Sequence, residues 1–459
     1  MTDITRSLLL TDLYQLTMLQ AYWQHRMDEV GVFELFVRKL PPERRFMVAA
    51  GLESALDLIE NARLDSAELE WVDRCGRFAP GFAEWLGKLH FSGDVWAMPE
   101  GTVFFPAEPI LRVVAPIAEA QLLETRLLNL VHLQTLIATK AAHCVLAAGG
   151  RDLIDFGLRR AHGAEAGLLA ARSAWLSGFA GTATALAGLR FGIPVFGTMA
   201  HSFVQAHDSE AAAFKAFAES FPDNAVLLID TYDTVAAARI VARIAPELAA
   251  RGIHVKGVRL DSGDLDALSR EVRSILDRAG LTDAIIFASG NLDEQRVHDL
   301  VVAGAPIDSY GIGTSLTTSS DAPALDAVYK LQEYAGLARR KRSAGKATWP
   351  GCKQVWRFND ERGNFNHDVV ALADERHEGT PLLQEVMRGG ARLGPAVELA
   401  DSRRLCSDQL TRLPELRAAA GASSAAAYPV NISARVQALA DEVDRRTAAI
   451  PSPAATGAG

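Results

Sequence analysis

Cysteine is scarce in this chain of 459 residues. Cys75, Cys144, Cys352 and Cys406 lie far apart and make no CxxC pair. That excludes a disulfide framework and a cysteine-based zinc site. An excess of positive charge is also missing. The 47 Lys and Arg face 56 Asp and Glu, for a net charge of -9, so the chain is not built to coat nucleic acid. No predominantly apolar run reaches the roughly 20 residues a spanning helix needs. The most apolar stretch, Leu127 to Gly149, is interrupted by Asn129, His132, Gln134, Lys140 and His143, and reads as a buried helix. The opening MTDITRSLLLTDLYQ has a short apolar run with Asp on both sides and lacks the secretory pattern. A cytoplasmic protein without membrane or nucleic-acid partners is expected. Low complexity is confined to the closing IPSPAATGAG, expected as a flexible tail over 450–459.

What remains is ordinary globular composition, 49% hydrophobic and 22% charged. The length suits about two or three domains, or one large α/β barrel with additions, and suffices to bury a core without staples. Residues 1–125 mix patterns. Asp12 is placed to cap a helix over Leu13–Tyr22. Val32–Arg38, Asp94–Met98, Val103–Phe105 and Ile110–Val114 read as strands, and Ser54–Ile59 and Ser66–Cys75 as helices. This is an α+β portion.

From about residue 150 short apolar runs recur, with helical patterns between them. They are Leu153–Phe156, Pro194–Phe196, Ala225–Ile229, Val255–Leu260, Ala284–Ala288 and Ile307–Ile312. Spacing of about 20 to 40 residues is that of βα units and a parallel sheet. The segments that follow read DFGLRRAHG, GTMAHS, DTYDT, RLDSGD, SGN and GIGT. In such sheets the strand ends form the active-site face. A scaffold needs turn residues there, but not His, Arg and repeated Asp. Further on, the run from Arg339 to Lys353 carries Lys and Arg with no Asp or Glu. It is a local cation cluster that the net charge conceals. Residues 397–449 return to a charged, helical texture.

Each constellation has a bland alternative. Gly311 and Gly313 with Thr314 suit a phosphate, because glycine lets backbone N–H groups approach an anion. They equally suit a tight turn. Arg259 stands with two carboxylates, Asp261 and Asp264, which suit ribose hydroxyls or Mg2+, or a structural ion pair plus a helix cap. His201 at a strand end suits a general base or nucleophile, whereas most histidines are structural. Asp230, ending the next strand, is placed to orient its ring. Phe156 can stack on a planar ligand, and Arg159 and Arg160 can grip carboxylate or phosphate. Taken singly, these three are better read as core and surface. Convergence favours an enzyme handling a phosphorylated sugar and an anionic or planar partner, and the residues alone do not name the reaction.

The ordered set of motifs resembles the nicotinate phosphoribosyltransferase family. The likeness runs from TDLYQLTML (Thr11–Leu19) and FELFVRKLP (Phe33–Pro41) through the strand-end motifs to PGCKQVWR (Pro350–Arg357). It covers about residues 8–360. The resemblance implies the irregular α/β barrel of type II phosphoribosyltransferases, joined to an additional α+β domain. The expected divisions are 1–125 (completed by parts of 340–440), a barrel over 126–339, and a basic and helical segment over 340–449. It implies a homodimer with shared sites, and transfer of phosphoribosyl from phosphoribosyl pyrophosphate to nicotinate, coupled to ATP hydrolysis with Mg2+.

By the same resemblance His201 is the histidine phosphorylated by ATP, with Asp230 near it. Phe156 and Tyr14 of the partner subunit sandwich the pyridine ring. Arg159 and Arg259 meet the nicotinate carboxylate or nearby phosphates. Asp261 and the turn Ser289, Gly290, Asn291 hold the ribose. Gly311, Gly313 and Thr314 receive the 5′-phosphate, and Arg38, Lys346 and Lys353 are candidates for pyrophosphate or ATP phosphates. Two departures stand out. Nicotinamide-using relatives carry an Asp where this chain has Ala183, after Gly181 and Thr182. Its absence removes repulsion against a substrate carboxylate and favours nicotinate. Pro41–Phe46 departs from the glycine-containing pattern of the family. Nicotinamide or quinolinate transfer and a non-catalytic nucleotide-binding role are the alternatives.

Overall fold

The structure, a computed structural model, describes residues 7–343, 345–413 and 427–448. The tail expected over 450–459 lies outside them. The described residues form two compact units, one over 7–135, 324–413 and 427–448 and the other over 136–323. The second unit is thus narrower than the expected 126–339.

In the first unit a seven-stranded sheet carries the core. Its order is Leu337–Ala338, Ala327–Tyr334, Val30–Val37, Pro109–Pro116, Asp94–Ala97, Gln384–Arg388 and Ala391–Arg392. The Val30–Val37 strand reads VGVFELFV and is buried at every position after the first. It lies between two antiparallel neighbours, so its near-continuous apolar sequence fits a central strand. Glu34 is buried in its middle and must find a partner. A second sheet orders Thr380–Pro381, Lys353–Asn359, Phe365–Leu372 and Val430–Ile432. The 340–449 region, expected as a basic segment followed by a C-terminal helical region, carries these strands ahead of the helices Leu399–Thr411 and Ala434–Ala448. Lys353–Asn359 and Phe365–Leu372 form an antiparallel hairpin whose Val, Trp and Phe content outweighs its charge. The helix Leu13–Gln24 begins after Asp12, but the Asp12 side chain makes no cap bond. It accepts from the Thr125 hydroxyl instead.

The buried helix expected over Leu127–Gly149 runs over Glu124–Ala147. Among the described residues it alone is long and apolar enough to cross a membrane by length and composition, and 72% of its most apolar window is buried in the protein.

In the second unit six parallel strands form one sheet. Their order is Gly181–Thr182, Asp152–Asp155, Ser309–Ile312, Ile285–Ala288, Gly257–Leu260 and Val226–Leu228. Five match expected runs. The sixth does not: Pro194–Phe196 contributes only a bridge from Val195 to Thr182, and Gly181–Thr182 is the strand beside Asp152–Asp155.

The strand-to-helix connections share a division of labour. Asp233, Asp264 and Asp293 each precede a helix and accept hydrogen bonds from its first-turn N–H groups. Asp230, Asp261 and Asn291, earlier in the same connections, are left for other work.

Candidate active site

The strand ends of the second unit gather the predicted residues. Arg259, next to last in the strand Gly257–Leu260, is held on three sides. Its Nε donates to the Ser289 hydroxyl at 2.9 Å, one terminal nitrogen to Asp261 Oδ1 at 2.8 Å, and the other to the Thr198 hydroxyl at 3.3 Å. Its guanidinium also sits 5.2 Å from the centroid of the Phe156 ring, within cation–π range. Ser289 closes the circuit by donating to Asp261 Oδ1. Burial raises the Asp261 pKa, but the Ser289 hydroxyl and the Arg259 guanidinium outweigh it and leave the carboxyl below its ordinary value. Asp261 is thus a fixed anion, suited to hydroxyl groups or to developing positive charge.

His201 opens the single-turn helix His201–Gln205. Its Nδ1 faces the Thr231 hydroxyl at 3.2 Å, and its Nε2 lies 3.9 Å from Asp261 Oδ2. The expected pairing of His201 with Asp230 is not what the structure shows. Asp230 Oδ2 instead accepts from the Asp261 N–H at 3.1 Å and the Ser262 hydroxyl at 2.6 Å. Asp230 thereby fixes the backbone that presents Asp261. Its Oδ1 is buried with no hydrogen-bond partner.

The turn Ser289, Gly290, Asn291 lies against the same network. Gly290 has φ of 95°, and a Cβ there would stand 1.9 Å from the Asp261 carbonyl oxygen, so only glycine permits this approach. Asn291 follows with φ of 49°, a conformation Asn tolerates. Gly311 belongs to the Ser309–Ile312 strand, and a side chain there would crowd the Phe156 and Phe287 rings. The Phe156 backbone N–H donates to the Ile312 carbonyl at 2.9 Å. Thr314, after Gly313, starts a single helical turn and is exposed. Arg159 and Arg160 sit in a short turn, both exposed.

Sequence reasoning missed three residues here. Thr198 steadies Arg259 and Thr231 faces His201, as above. Asp155 is the third. It is buried and accepts from the Thr182 hydroxyl at 2.7 Å and the Gly157 N–H at 2.8 Å. It therefore shapes the turn that carries Phe156. Burial raises its pKa despite both donors. Its position just before Phe156 was the available signal. Ala183 is exposed and its N–H donates to the Asp155 carbonyl at 2.8 Å.

In the first unit a separate pocket of about 260 Å³ is lined by Arg38, Lys353, Glu34, Thr348 and Trp349 among others. Two phosphate candidates, Arg38 and Lys353, thus share one wall. Arg38 pairs with Asp326 at 3.0 Å. Lys353 is corrected. Its ammonium is buried against Glu34 at 2.8 Å and also donates to the Trp349 and Gly351 carbonyls at 2.6 and 2.8 Å. Two hydrogen bonds and this ion pair hold the ammonium inside the unit. Lys346 is exposed nearby in sequence. The cation run is also partly neutralised: Arg340 and Arg342 lie 3.6 and 3.5 Å from Asp444 carboxylate oxygens. Tyr14 is on the helix Leu13–Gln24 of this unit, with its side chain exposed.

Residues 9–132 match the nicotinate phosphoribosyltransferase (NAPRTase) N-terminal domain and residues 152–336 the nicotinate phosphoribosyltransferase (NAPRTase) family. A nicotinate phosphoribosyltransferase of Mycobacterium tuberculosis is 49% identical over 430 residues, covering 93% of this chain and 92% of its own. The crystal structure of human nicotinic acid phosphoribosyltransferase is similar with a TM-score of 0.83 and 32% identity, covering 95% of this chain and 100% of that one. A nicotinate-nucleotide pyrophosphorylase structure from Pyrococcus furiosus has a TM-score of 0.74 at 25% identity, covering 90% and 97%.

Proposed function

Because the chain belongs to the nicotinate phosphoribosyltransferase family, we propose that it joins nicotinate to phosphoribosyl pyrophosphate. The products are nicotinate mononucleotide and pyrophosphate, in NAD biosynthesis by salvage of nicotinate. The observation that carries this reading is the convergence of Phe156, Arg259, Asp261, Ser289 and Gly311 through one set of contacts at adjacent strand ends.

The chemistry follows from those residues. The Phe156 ring offers a face for the pyridine, and Arg259 beside it offers a cation for the carboxylate. Bond breaking at the anomeric carbon develops oxocarbenium character. The fixed Asp261 carboxylate is placed to stabilise it and to accept from ribose hydroxyls. Ser289, Gly290 and Asn291 hold the ribose, and Gly311, Gly313 and Thr314 take the 5′-phosphate. Arg159, Arg38 and Lys346 are the exposed or pocket-lining cations left for phosphates.

ATP enters this proposal as a co-substrate. His201 attacks the γ-phosphorus, a nitrogen–phosphorus bond forms, and the bond to the departing ADP oxygen breaks. The Thr231 hydroxyl at Nδ1 and Asp261 near Nε2 orient the ring. Hydrolysis of the phosphohistidine then biases conformational states, which requires unequal ligand affinity for those states. Mg2+ is expected with the phosphates, where it would supply charge neutralisation for the leaving pyrophosphate. Among the described residues no group of three His, Cys, Asp or Glu could hold a metal alone. That suits a cation held by one or two carboxylates together with substrate phosphates. Asp230, with its unpartnered Oδ1, and Asp261 are the carboxylates available.

The parallel sheet, extended by the Val195 bridge, is read as the wall of an irregular barrel. A cytoplasmic homodimer, with Tyr14 of the partner subunit against the pyridine, completes the proposal. The test is direct. Purified protein with nicotinate, phosphoribosyl pyrophosphate, Mg2+ and ATP should release nicotinate mononucleotide, and absence of product rejects the reading. Replacing nicotinate by nicotinamide should sharply lower the rate, since Ala183 supplies no acceptor for an amide. Omitting ATP separates this reaction from quinolinate transfer.

A further inference from the structure

One buried cation in the second unit has no role in the chemistry above. Lys140 projects from the helix Glu124–Ala147 and its side chain is only 2% exposed. An ammonium at such depth is strongly disfavoured unless it is paired. Its Nζ lies 2.6 Å from Glu294 Oε1 and 2.9 Å from Asp321 Oδ1. Burial opposes the charge, and the Glu294 and Asp321 carboxylates overcome it, so the amine is held above its ordinary pKa.

The sequence positions of the two partners are informative. Glu294 is the first residue of the helix Glu294–Val302, three residues past Asn291. Asp321 follows the single turn Thr314–Thr317 and the left-handed Ser319, whose φ is 46°. One end of the clamp therefore holds the segment of the Ser289–Asn291 turn, and the other holds the segment of Gly311–Thr314. A second tie joins the same two segments, because the Ser315 hydroxyl donates to the Leu292 carbonyl. One ammonium faces two carboxylates. Without it the tie between the two segments is lost, and the two carboxylates also repel.

We propose that Lys140 is a positioning residue that sets the spacing between the ribose-binding turn and the 5′-phosphate segment, and so tunes affinity for the phosphoribosyl substrate. This rests on the reading that those segments receive ribose 5-phosphate. Lys140 touches neither Phe156 nor the Arg259 network in any hydrogen bond or ion pair described, so nicotinate recognition should be spared.

The test uses the full chain with Lys140→Met and, because that variant leaves Glu294 and Asp321 without the ammonium between them, the neutral Lys140→Met/Glu294→Gln/Asp321→Asn. Both should raise the KM for phosphoribosyl pyrophosphate about tenfold, roughly the size of one lost charge-assisted contact. The nicotinate KM should move less than about threefold. The triple variant should regain most of the thermal midpoint lost by the single one. A triple variant that regains both midpoint and wild-type KM makes Lys140 merely structural and overturns the proposal. Calorimetric titration of ribose 5-phosphate into wild type and variants gives a readout apart from turnover. Weaker binding by the variants supports the clamp even if wild type transfers nothing to nicotinate, an outcome that would reject the proposed reaction alone. Equal binding by wild type and variants, or none by wild type, overturns the clamp.

Discussion

Lys353→Met distinguishes a buried structural cation from a phosphate ligand. Glu34 is fully buried in the middle of its strand, and Lys353 is 3% exposed. The Lys353 backbone N–H donates to Glu34 Oε1 at 3.0 Å, and its ammonium pairs with Oε2 at 2.8 Å. Burial pulls the Lys353 pKa down, and Glu34 offsets this only in part. Removing the ammonium strands a carboxylate oxygen and two carbonyls in the interior. Breaking a buried pair in this way costs about 3–5 kcal/mol. For a unit of this size each kcal/mol shifts the midpoint by about 2–4 °C, so a fall of about 10 °C is expected in a calorimetric scan. Adding Glu34→Gln should recover all but about 2 kcal/mol, because the uncompensated charge is gone and a carbonyl remains to accept from the Lys353 N–H. The KM for phosphoribosyl pyrophosphate should be nearly unchanged in the double variant. A Lys353→Met protein that melts within about 2 °C of wild type but loses affinity for phosphoribosyl pyrophosphate or ATP would refute the reasoning. The ammonium would then serve ligand and not fold.

Three further expectations concern the strand ends. His201→Ala should abolish ATP hydrolysis while leaving slow phosphoribosyl transfer; retained ATPase activity rejects the phosphohistidine role. Arg259→Ala removes the cation between Phe156, Ser289, Asp261 and Thr198, and should raise the KM for nicotinate or phosphoribosyl pyrophosphate about tenfold or more. If both stay unchanged by initial-rate kinetics, the assigned contact is wrong. Asp155 has its folded-state pKa raised by burial, so the native state binds the proton more tightly than the unfolded chain does. Its contribution to stability is therefore present below about pH 4 and lost as pH rises through the raised folded value. Asp155→Asn should flatten that slope in urea titrations at acid and neutral pH, and an unaltered slope contradicts the assignment.

Much of the second unit was legible because one physical signal repeats. A short apolar run, a polar cluster and an amphipathic helix recur at βα spacing, and the clusters mark strand ends. The failure at Pro194–Phe196 is instructive. Three apolar residues after a turn do not distinguish a strand from a packed loop, and Gly181–Thr182, with almost no apolar signal, takes the place in the sheet. In the first unit the 340–449 segment was read from its charge. Its strands obey cross-strand packing, which depends on partners chosen by folding.

The carboxylates show where reading a motif stops and folding begins. RLDSGD contains two Asp, and folding gives them different partners. Asp264 caps the helix Leu265–Arg278, while Asp261 meets Arg259 and Ser289. That assignment is recoverable in hindsight, since the capping residue always directly precedes the helix. Lys353 offers no such local rule. Its partner Glu34 is 319 residues away in sequence, and nothing near Lys353 announces a buried carboxylate. Thr198, Thr231 and Lys140 are of the same kind. A hydroxyl or an ammonium becomes part of a network through what folding sets about 3 Å from it, so spacing along the chain finds the candidate groups at strand ends sooner than those that hold them in place.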